Sequence, residues 1–248
     1  MERDRSKLQF QPDKLKVSGD GAFYTLQGEG ISMGEPAVFL RLHRCNLQCV
    51  WCDTPYTWKE SDERYWTESK DLTIKESADM IRNTWGAENP AIQKRAVITG
   101  GEPLLQQKRI LELADELGPD WKLEVETNGT VPPSDDLIGR VQFNCSPKIA
   151  NSENAFRARV RPEAIKKLVQ GDAWFKFVVT KPEELDEIER DYIKGCGVPA
   201  DRVILMPEGT DQNAIWQHAQ QVAEYAKVKG YRMLGRMQVD VWGSQRKT

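Results

Sequence analysis

Residues 37–52 read Ala-Val-Phe-Leu-Arg-Leu-His-Arg-Cys-Asn-Leu-Gln-Cys-Val-Trp-Cys. The first six form a mostly apolar run with the length and composition of a buried strand. Three cysteines follow within eight residues, at positions 45, 49 and 52. Ligands of α/β sheets bind at the carboxyl ends of strands. The stretch therefore predicts a metal site just past the end of a buried strand.

Strand and helix patterns alternate along the rest of the chain. Strands are predicted at 96–99, 123–127, 141–145, 174–180, 203–206 and 231–241, and helices begin near Thr73, Pro103, Pro162, Pro182 and Asp211. Such alternation with short connections is typical of an α/β fold with a mostly parallel sheet. Six or seven strands are compatible with an open doubly wound sheet or with an incomplete barrel, and the pattern does not choose between them.

The chain is interpreted as one domain spanning residues 1–248. Residues 53–72 show neither a helical nor a strand period, and a long connection of this kind is usually functional or mobile. Because it directly follows the cysteines, it is a candidate wall or lid of the site, with a solvated surface loop as the alternative. Residues 231–248 are interpreted as a C-terminal strand and a basic tail.

Charge and hydropathy exclude several classes of protein. The chain carries 35 Lys and Arg against 38 Asp and Glu, a formal charge of −3. General nucleic-acid binders need a basic surplus, which is missing. No apolar run approaches the roughly 20 residues that span a bilayer, and residues 1–7 are too charged for a signal peptide. We expect a cytoplasmic protein that binds neither nucleic acid nor membrane.

The cysteine spacing indicates a metal cluster with an open position. The other two cysteines are scattered: Cys145 lies in a strand pattern and Cys196 has no obvious partner. A structural zinc site uses four ligands, whereas this stretch supplies three, and His43 is poorly placed to be the fourth. Three thiolates on a cubane iron–sulfur cluster leave one iron without a protein ligand. Catalytic sites need such an open position.

Two motifs together resemble the radical S-adenosylmethionine (SAM) superfamily. The first is Cys-x3-Cys-x-aromatic-Cys, and the second is Gly100-Gly101-Glu102-Pro103, which follows a predicted strand. Glycines in such a turn would let backbone carbonyls approach a bound ammonium group. The resemblance implies a partial β/α barrel with about six parallel strands. It also implies a 4Fe-4S cluster held by Cys45, Cys49 and Cys52, with SAM on the fourth iron.

A narrower resemblance covers residues 22–148 densely. It rests on 24–30 (Tyr-Thr-Leu-Gln-Gly-Glu-Gly), 38–42, 52–54, 124–130 and 146–148. This order is similar to the 7-carboxy-7-deazaguanine synthase (QueE) family of queuosine and 7-deazapurine biosynthesis. The resemblance implies a lyase that converts 6-carboxy-5,6,7,8-tetrahydropterin to 7-carboxy-7-deazaguanine with loss of ammonia. It further implies a homodimer and an electron donor such as a flavodoxin.

The same resemblance implies roles for individual residues. No side chain is a catalytic group, because the cofactor generates the radical. The residues implied to bind SAM are Trp51, Cys52, Asp53, Gly101, Ser146, Pro147 and Lys148. Thr54 is implied to bind Mg2+. The residues implied to bind the pterin are Leu26, Gln27, Gly28, Glu29, Arg41 and Thr99.

One departure and two alternative functions remain open. Family members often carry a histidine on the last strand, where this chain has Met237-Gln238-Val239-Asp240, so Gln238 or Asp240 would have to serve. A glycyl-radical-enzyme activase has a similar length and cysteine spacing. An iron–sulfur electron-transfer or structural metal module is the non-enzymatic alternative.

Overall fold

A computed structural model describes residues 5–243 and 245–246. Within this part of the chain, nine strands form one sheet in the order β3-β1-β2-β4-β5-β6-β7-β8-β9. The strands are β1 (Lys14–Leu26), β2 (Pro36–Leu42), β3 (Ser69–Thr73), β4 (Lys94–Gly100), β5 (Trp121–Thr127), β6 (Gln142–Cys145), β7 (Trp174–Val179), β8 (Val203–Pro207) and β9 (Arg232–Met233).

The sheet is mostly parallel and does not close. Strands β2 and β4 to β9 pair in parallel, whereas β1 pairs antiparallel with both β2 and β3. The edges of the described sheet are β3 and β9, which are not paired with each other. This unclosed barrel confirms the predicted fold class, with six consecutive parallel strands from β2 to β8 and a two-residue seventh.

The antiparallel strand β1 determines where the following loop lies. Its last residue, Leu26, is paired with Pro36, the first residue of β2. The loop 27–35 therefore lies at the amino-terminal edge of the parallel strands. The cysteines follow Leu42 and lie at the opposite, carboxyl edge. Residues of the loop 27–35 and residues near the cysteines can thus both face the interior of the barrel.

The longer helices pack on the outside of the sheet, whereas α8 lies beside the barrel interior. The helices are α1 (Glu63–Thr67), α2 (Ile74–Thr84), α3 (Gln107–Leu117), α4 (Phe156–Arg159), α5 (Pro162–Gln170), α6 (Glu184–Glu187, continued by a π-helix at Ile188–Lys194), α7 (Gln212–Lys229) and α8 (Met237–Trp242). A capping box begins α2 at the predicted start, Thr73: Thr73 Oγ1 accepts from the Glu76 amide at 3.2 Å, and the Thr73 amide donates to Glu76 Oε2 at 2.8 Å. No helix in the described ranges is long and apolar enough to cross a bilayer.

Apolar side chains pack on both faces of the sheet. The large core lies between the strands and helices and includes Leu40, Ile81 and Ile110. A second, small cluster joins Ala37, Phe39 and Val97, against which Phe23 packs. Phe39 and Leu40 belong to different clusters because successive strand residues face opposite sides. The small cluster thus lies on the inner face of the barrel.

Strand β1 was not predicted from the sequence. Its residues Gly19 and Gly21 both have positive φ, and the pairing with β2 shifts register between Val17 and Ala22. A bulge of this kind interrupts the alternation of apolar and polar residues by which a strand is recognised. The 13-residue strand therefore has no continuous period-2 signal.

Two other interpretations were wrong. The stretch 53–72 is not structureless, because its second half contains α1 and most of β3, which pairs with β1. The strand predicted at 231–241 is reduced to Arg232–Met233, and helix α8 follows. Strand β3 reads Ser-Lys-Asp-Leu-Thr, so its backbone pairing has little apolar signature. The tail expected at 244–248 is described only at 245 and 246.

Candidate functional site

A cavity of about 490 Å³ lies on the inner face of the barrel. Fifteen of the sixteen site residues named from the sequence line it, and Pro147 does not. The fifteen are Leu26, Gln27, Gly28, Glu29, Arg41, Cys45, Cys49, Trp51, Cys52, Asp53, Thr54, Thr99, Gly101, Ser146 and Lys148. Segments separated by more than a hundred residues in the chain therefore share one space.

The cysteine loop, residues 43–54, begins where β2 ends. Arg44 adopts a positive φ of 77°, and its amide donates to Thr57 O at 2.9 Å. All five cysteines of the chain are free thiols, and Cys45, Cys49 and Cys52 line the cavity. Amide side chains point at two of the sulfurs: Asn128 Nδ2 lies 3.8 Å from Cys45 Sγ, and Asn154 Nδ2 lies 3.3 Å from Cys49 Sγ. Such donors stabilise a thiolate.

The donor set fits an iron–sulfur cluster better than a single metal ion. Within the described ranges, no three Cys, His, Asp or Glu side chains are grouped to hold one ion. A cubane cluster takes one thiolate per iron, so its ligands need not converge on one point. Burial raises the pKa of Cys45 to about 12 and also raises that of Cys49. Bound metal favours the deprotonated thiolates.

Two glycines make close backbone contacts where the cysteine loop leaves β2, Gly100 with the end of the strand and Gly101 with the loop itself. Gly100 has a φ of 127°, and a Cβ there would lie 2.1 Å from Leu42 O. A Cβ on Gly101 would lie 2.0 Å from Arg44 O. The close approach allows the Gly101 amide to donate to Leu42 O at 3.1 Å. From the sequence, these glycines are attributed to the approach of a bound ammonium group. The structure shows that close backbone contacts with Leu42 and Arg44 already require glycine at both positions.

Glu102, the third residue of the same motif, is an organising residue. Its carboxylate is fully buried and accepts from the Leu104 amide at 2.9 Å, Thr127 Oγ1 at 2.8 Å and the Asn128 amide at 2.7 Å. Burial raises the pKa of Glu102 despite these donors. The carboxylate thus links the start of the 103–117 helical segment to the end of β5, where Asn128 approaches the cysteine loop.

A second carboxylate, Glu126, faces the cavity from β5. Thr99 Oγ1 donates to one of its oxygens at 2.6 Å, and Gln27 Nε2 donates to the other at 3.2 Å. The sequence named Thr99 and Gln27 as pterin ligands but did not single out Glu126. The signal available was a charged residue near the end of an otherwise buried strand. These three side chains form one hydrogen-bonded wall of the cavity.

Arg41 is the cation of the cavity that carries no partner within the described residues. It lines the cavity from β2, next to Thr99 in the register of β4. Lys148, by contrast, donates to Ser146 Oγ at 2.8 Å and lies 5.3 Å from the centre of the Trp51 ring. An uncommitted guanidinium in a cleft offers a planar fork for a carboxylate.

Glu29 lies in a buried charge cluster that the sequence did not predict. Lys176 Nζ contacts its Oε2, while Arg236 Nε at 2.9 Å and Gln238 Nε2 at 2.7 Å donate to its Oε1. Burial raises the pKa of Glu29, but the charges of Lys176 and Arg236 outweigh burial and hold it well below its usual range. Lys176 had a sequence signal, as a lysine within an apolar strand, whereas Arg236 had none.

Thr54 and the C-terminal candidates occupy different places. Thr54 lines the cavity, with Oγ1 3.7 Å from Cys52 Sγ. Of the two residues considered in place of the last-strand histidine, Gln238 lines the cavity, and its buried Oε1 has no hydrogen-bond partner in the part of the chain that the structure describes. Asp240 is exposed and does not line it. Both belong to helix α8 rather than to a strand.

Comparisons with known proteins show the family of this chain. The family model described as the radical SAM superfamily matches residues 40–176. The 7-carboxy-7-deazaguanine synthase of Pyrobaculum aerophilum is 34% identical over 226 residues, covering 90% of this chain and 94% of the relative. That of Halobacterium salinarum is 32% identical over 248 residues, covering 91% and 90%.

A solved structure extends the likeness to the fold. The crystal structure of QueE from Escherichia coli superposes with a TM-score of 0.67 at 21% identity, covering 90% of this chain and 94% of that one. At that identity the superposition shows the fold alone, while the curated relatives carry the family. The chain belongs to the radical SAM superfamily and, within it, to the 7-carboxy-7-deazaguanine synthase family.

Proposed function

We propose that this chain is a radical SAM lyase that converts 6-carboxy-5,6,7,8-tetrahydropterin to 7-carboxy-7-deazaguanine with loss of ammonia, in 7-deazapurine biosynthesis. One observation carries the proposal: the cysteine loop faces the same cavity of about 490 Å³ as Arg41, which has no partner among the described residues. A cluster at one side and a carboxylate-binding cation at another suit a carboxylated substrate. The catalytic domain is taken as residues 1–248, with its motifs in 22–148.

The cofactors are a 4Fe-4S cluster and SAM. Cys45, Cys49 and Cys52 would hold three irons and leave the fourth for SAM. When bound and reduced, the pair supplies a carbon radical that removes a hydrogen atom from the pterin. The chain positions and shields these groups. Trp51, Asp53, Gly101, Ser146 and Lys148 would line the SAM site, with Pro147 between the last two.

The pterin would be held by hydrogen bonds and one ion pair. Arg41 would grip the carboxylate through two parallel N–H donors. Glu126 is aligned by Thr99 and Gln27, so its oxygens suit the 2-amino-pyrimidinone edge. Leu26 and Gly28 would contact the ring, and Glu29 keeps room for one further donor beside its three present ones.

Further partners follow from the proposed chemistry. Thr54 would offer a hydroxyl to Mg2+, a hard cation that prefers oxygen ligands, and the ion would supply positive charge for an anionic substrate. An electron donor such as a flavodoxin would reduce the cluster. A homodimer in the cytoplasm is the assembly and compartment we propose.

The decisive experiment is turnover by the purified, anaerobically reconstituted protein. Reductant, SAM and the carboxy-tetrahydropterin are added, and the deazapurine is detected by mass. We expect product without any partner polypeptide, which an activase would require. Absence of deazapurine from protein with a full cluster would overturn the function.

A separate experiment tests the proposed role of Mg2+ at Thr54. Turnover is measured with Mg2+ and with excess chelator, in wild type and in Thr54→Ala. We expect stimulation by Mg2+ that weakens in the variant, while iron content stays the same. Equal turnover in all four conditions would remove the metal and leave the function standing.

A further inference from the structure

The segment after β9 crosses the open side of the barrel. We call residues 236–243 and 245–246 the C-terminal strap. The Met237 amide donates to Gly28 O at 3.0 Å, just past β1, and Arg246 Nη2 donates to Glu68 Oε2 at 3.1 Å, just before β3. The strap thus leaves one edge of the sheet and contacts the residues that border the other.

Arg236 is the residue of the strap that joins most segments. Its Nε donates to Glu29 Oε1 at 2.9 Å, its Nη1 to Gly209 O at 2.8 Å and its Nη2 to Asp53 Oδ2 at 2.7 Å. Glu29 follows β1, Asp53 belongs to the cysteine loop and Gly209 follows β8. The rigid guanidinium fork reaches all three at once, and a lysine ammonium could not reproduce its planar geometry.

The contacts indicate that Arg236 acts through its neighbours. Its side chain is 14% exposed, and its charge is balanced by the carboxylates of Glu29 and Asp53. Arg41, in contrast, has no ion pair within the described residues. A cation already paired with the largely buried Glu29 and with the more exposed Asp53 has little field left for an anionic substrate. Its effect on the reaction must come from where it holds Glu29 and Asp53.

We propose that Arg236 is a positioning residue that fixes the pterin side of the cavity relative to the SAM side. This inference rests on the proposed function, since it assigns Glu29 to the pterin and Asp53 to SAM. The two carboxylates lie on loops at opposite edges of the parallel strands, and one guanidinium joins them. Small misplacements of reacting groups cost up to about a hundredfold in rate. Without Arg236, SAM would be cleaved with the pterin out of place.

The test substitutes Arg236→Lys, which keeps the charge, and uses Arg232→Lys as the matched control. Arg232 lies four residues earlier, is exposed, and stacks on Trp174 at 4.4 Å outside the cavity. We expect Arg236→Lys to raise the pterin KM about tenfold and to increase the 5′-deoxyadenosine released per deazapurine formed. Iron content and SAM affinity stay near those of wild type. Arg232→Lys leaves every quantity unchanged.

A measurement independent of turnover accompanies the test. Hydrogen exchange should speed up at both 27–30 and 237–243 in Arg236→Lys, because one contact holds both segments. A merely structural role would change exchange but not the ratio of SAM cleaved to product. Arg236→Gln, which removes the charge, should give the same changes in larger measure.

The outcomes distinguish a failure of the proposed function from a failure of the positioning role of Arg236. Wild-type protein that makes no deazapurine overturns the proposed function. Wild-type turnover with an unchanged pterin KM and an unchanged cleavage ratio in Arg236→Lys overturns only the positioning role. Loss of iron from both Arg236 variants would also overturn it, because the residue would then maintain the fold.

Discussion

The cysteine loop and the C-terminal strap both line the same cavity, but the thiols of the loop lie close together in the sequence, whereas the strap is held by contacts with distant residues. The cysteine loop carries its donors within twelve residues, and two glycines brace it through backbone contacts. The strap makes a backbone contact, from Met237 to Gly28, and otherwise relies on side chains such as those of Arg236 and Arg246, whose carboxylate partners lie more than 170 residues away in the sequence. One side of a site can therefore be determined by the spacing of neighbouring residues, while another side is determined only by the tertiary fold. The following predictions test that contrast.

The largest effect is expected for Cys49→Ala. Because each thiolate holds one iron, the variant should lose the cluster and with it all deazapurine formation. Iron and sulfide content and the visible absorption of the reconstituted protein report the loss. Cys196→Ala is the control, since that buried thiol donates to Asp191 O at 3.1 Å and lies outside the cavity. Equal iron loss in both variants would contradict the ligand assignment.

Arg41→Lys tests the cavity cation that has no ion pair within the described residues, in contrast to Lys176 and Arg236, which are paired with Glu29. The variant keeps the charge but loses the planar fork, so pterin binding should weaken by about 1.5–3 kcal/mol, or tenfold to hundredfold. The pterin Kd, measured by fluorescence, reports the change, and SAM affinity should not move. As a control, Arg82→Lys alters an exposed ion pair on α2. Wild-type pterin affinity in Arg41→Lys would remove Arg41 from the site.

Gly101→Ala tests the bracing of the cysteine loop. Its Cβ would meet Arg44 O at 2.0 Å, so the loop must move, at a cost of about 1–3 kcal/mol. We expect Tm to fall by about 5 °C and the protein to retain less iron. The same change at Gly235, beside the strap, meets its nearest atom at 3.6 Å and should be tolerated. Similar results at both positions would mean that the loop yields easily.

The smallest effect concerns pH and the strap. The pKa of Glu29 lies below its ordinary value of 4.5 in the folded protein, so an unfolded chain takes up the proton first. The stability that Glu29 contributes is therefore fully present above about pH 4.5 and is lost as pH falls toward its folded value. Wild type should lose more Tm than Glu29→Gln between pH 6 and about pH 3.5.

The titration of His43 contributes equally to the acid sensitivity of wild type and of Glu29→Gln. Burial lowers the pKa of His43 to about 4, so this residue also destabilises the fold in acid. It does so in both proteins and cancels from their difference. Parallel Tm curves for wild type and Glu29→Gln would show that the Glu29 charge cluster does not support the strap.

Sequence reasoning succeeded where the signal is local. The strand–helix alternation predicted an α/β fold with a mostly parallel sheet, and the family resemblance added the partial barrel that the structure confirms. The apolar run before Cys45 and the cysteine spacing placed the three thiols past the end of β2, where they line the cavity. Sequence reasoning failed at β1, where Gly19 and Gly21 interrupt the strand period. It also failed at 231–241, where helix α8 replaces most of a predicted strand.

The rest of the site is fixed by contacts that no local pattern encodes. Glu29 was named by family resemblance, yet its partners Lys176 and Arg236 lie 147 and 207 residues further along the chain. Such partners are brought together only when β1 and β9 become the two sides of one opening. The cavity's lining was thus largely predictable by motif, while its internal ion pairs were not.

The position of loop 27–35 has a kinetic consequence. Buried side chains fill the amino-terminal edge of the strands beside this loop: Arg95 pairs with Glu35 and Glu124, and Ser32 Oγ donates to Glu124 at 2.7 Å. Gln27 and Glu29 line the cavity from this amino-terminal edge, whereas the proposed SAM residues lie toward the carboxyl edge. A pterin would therefore have to enter before SAM covers it. We expect ordered binding, with SAM in excess acting as an inhibitor that blocks the way in.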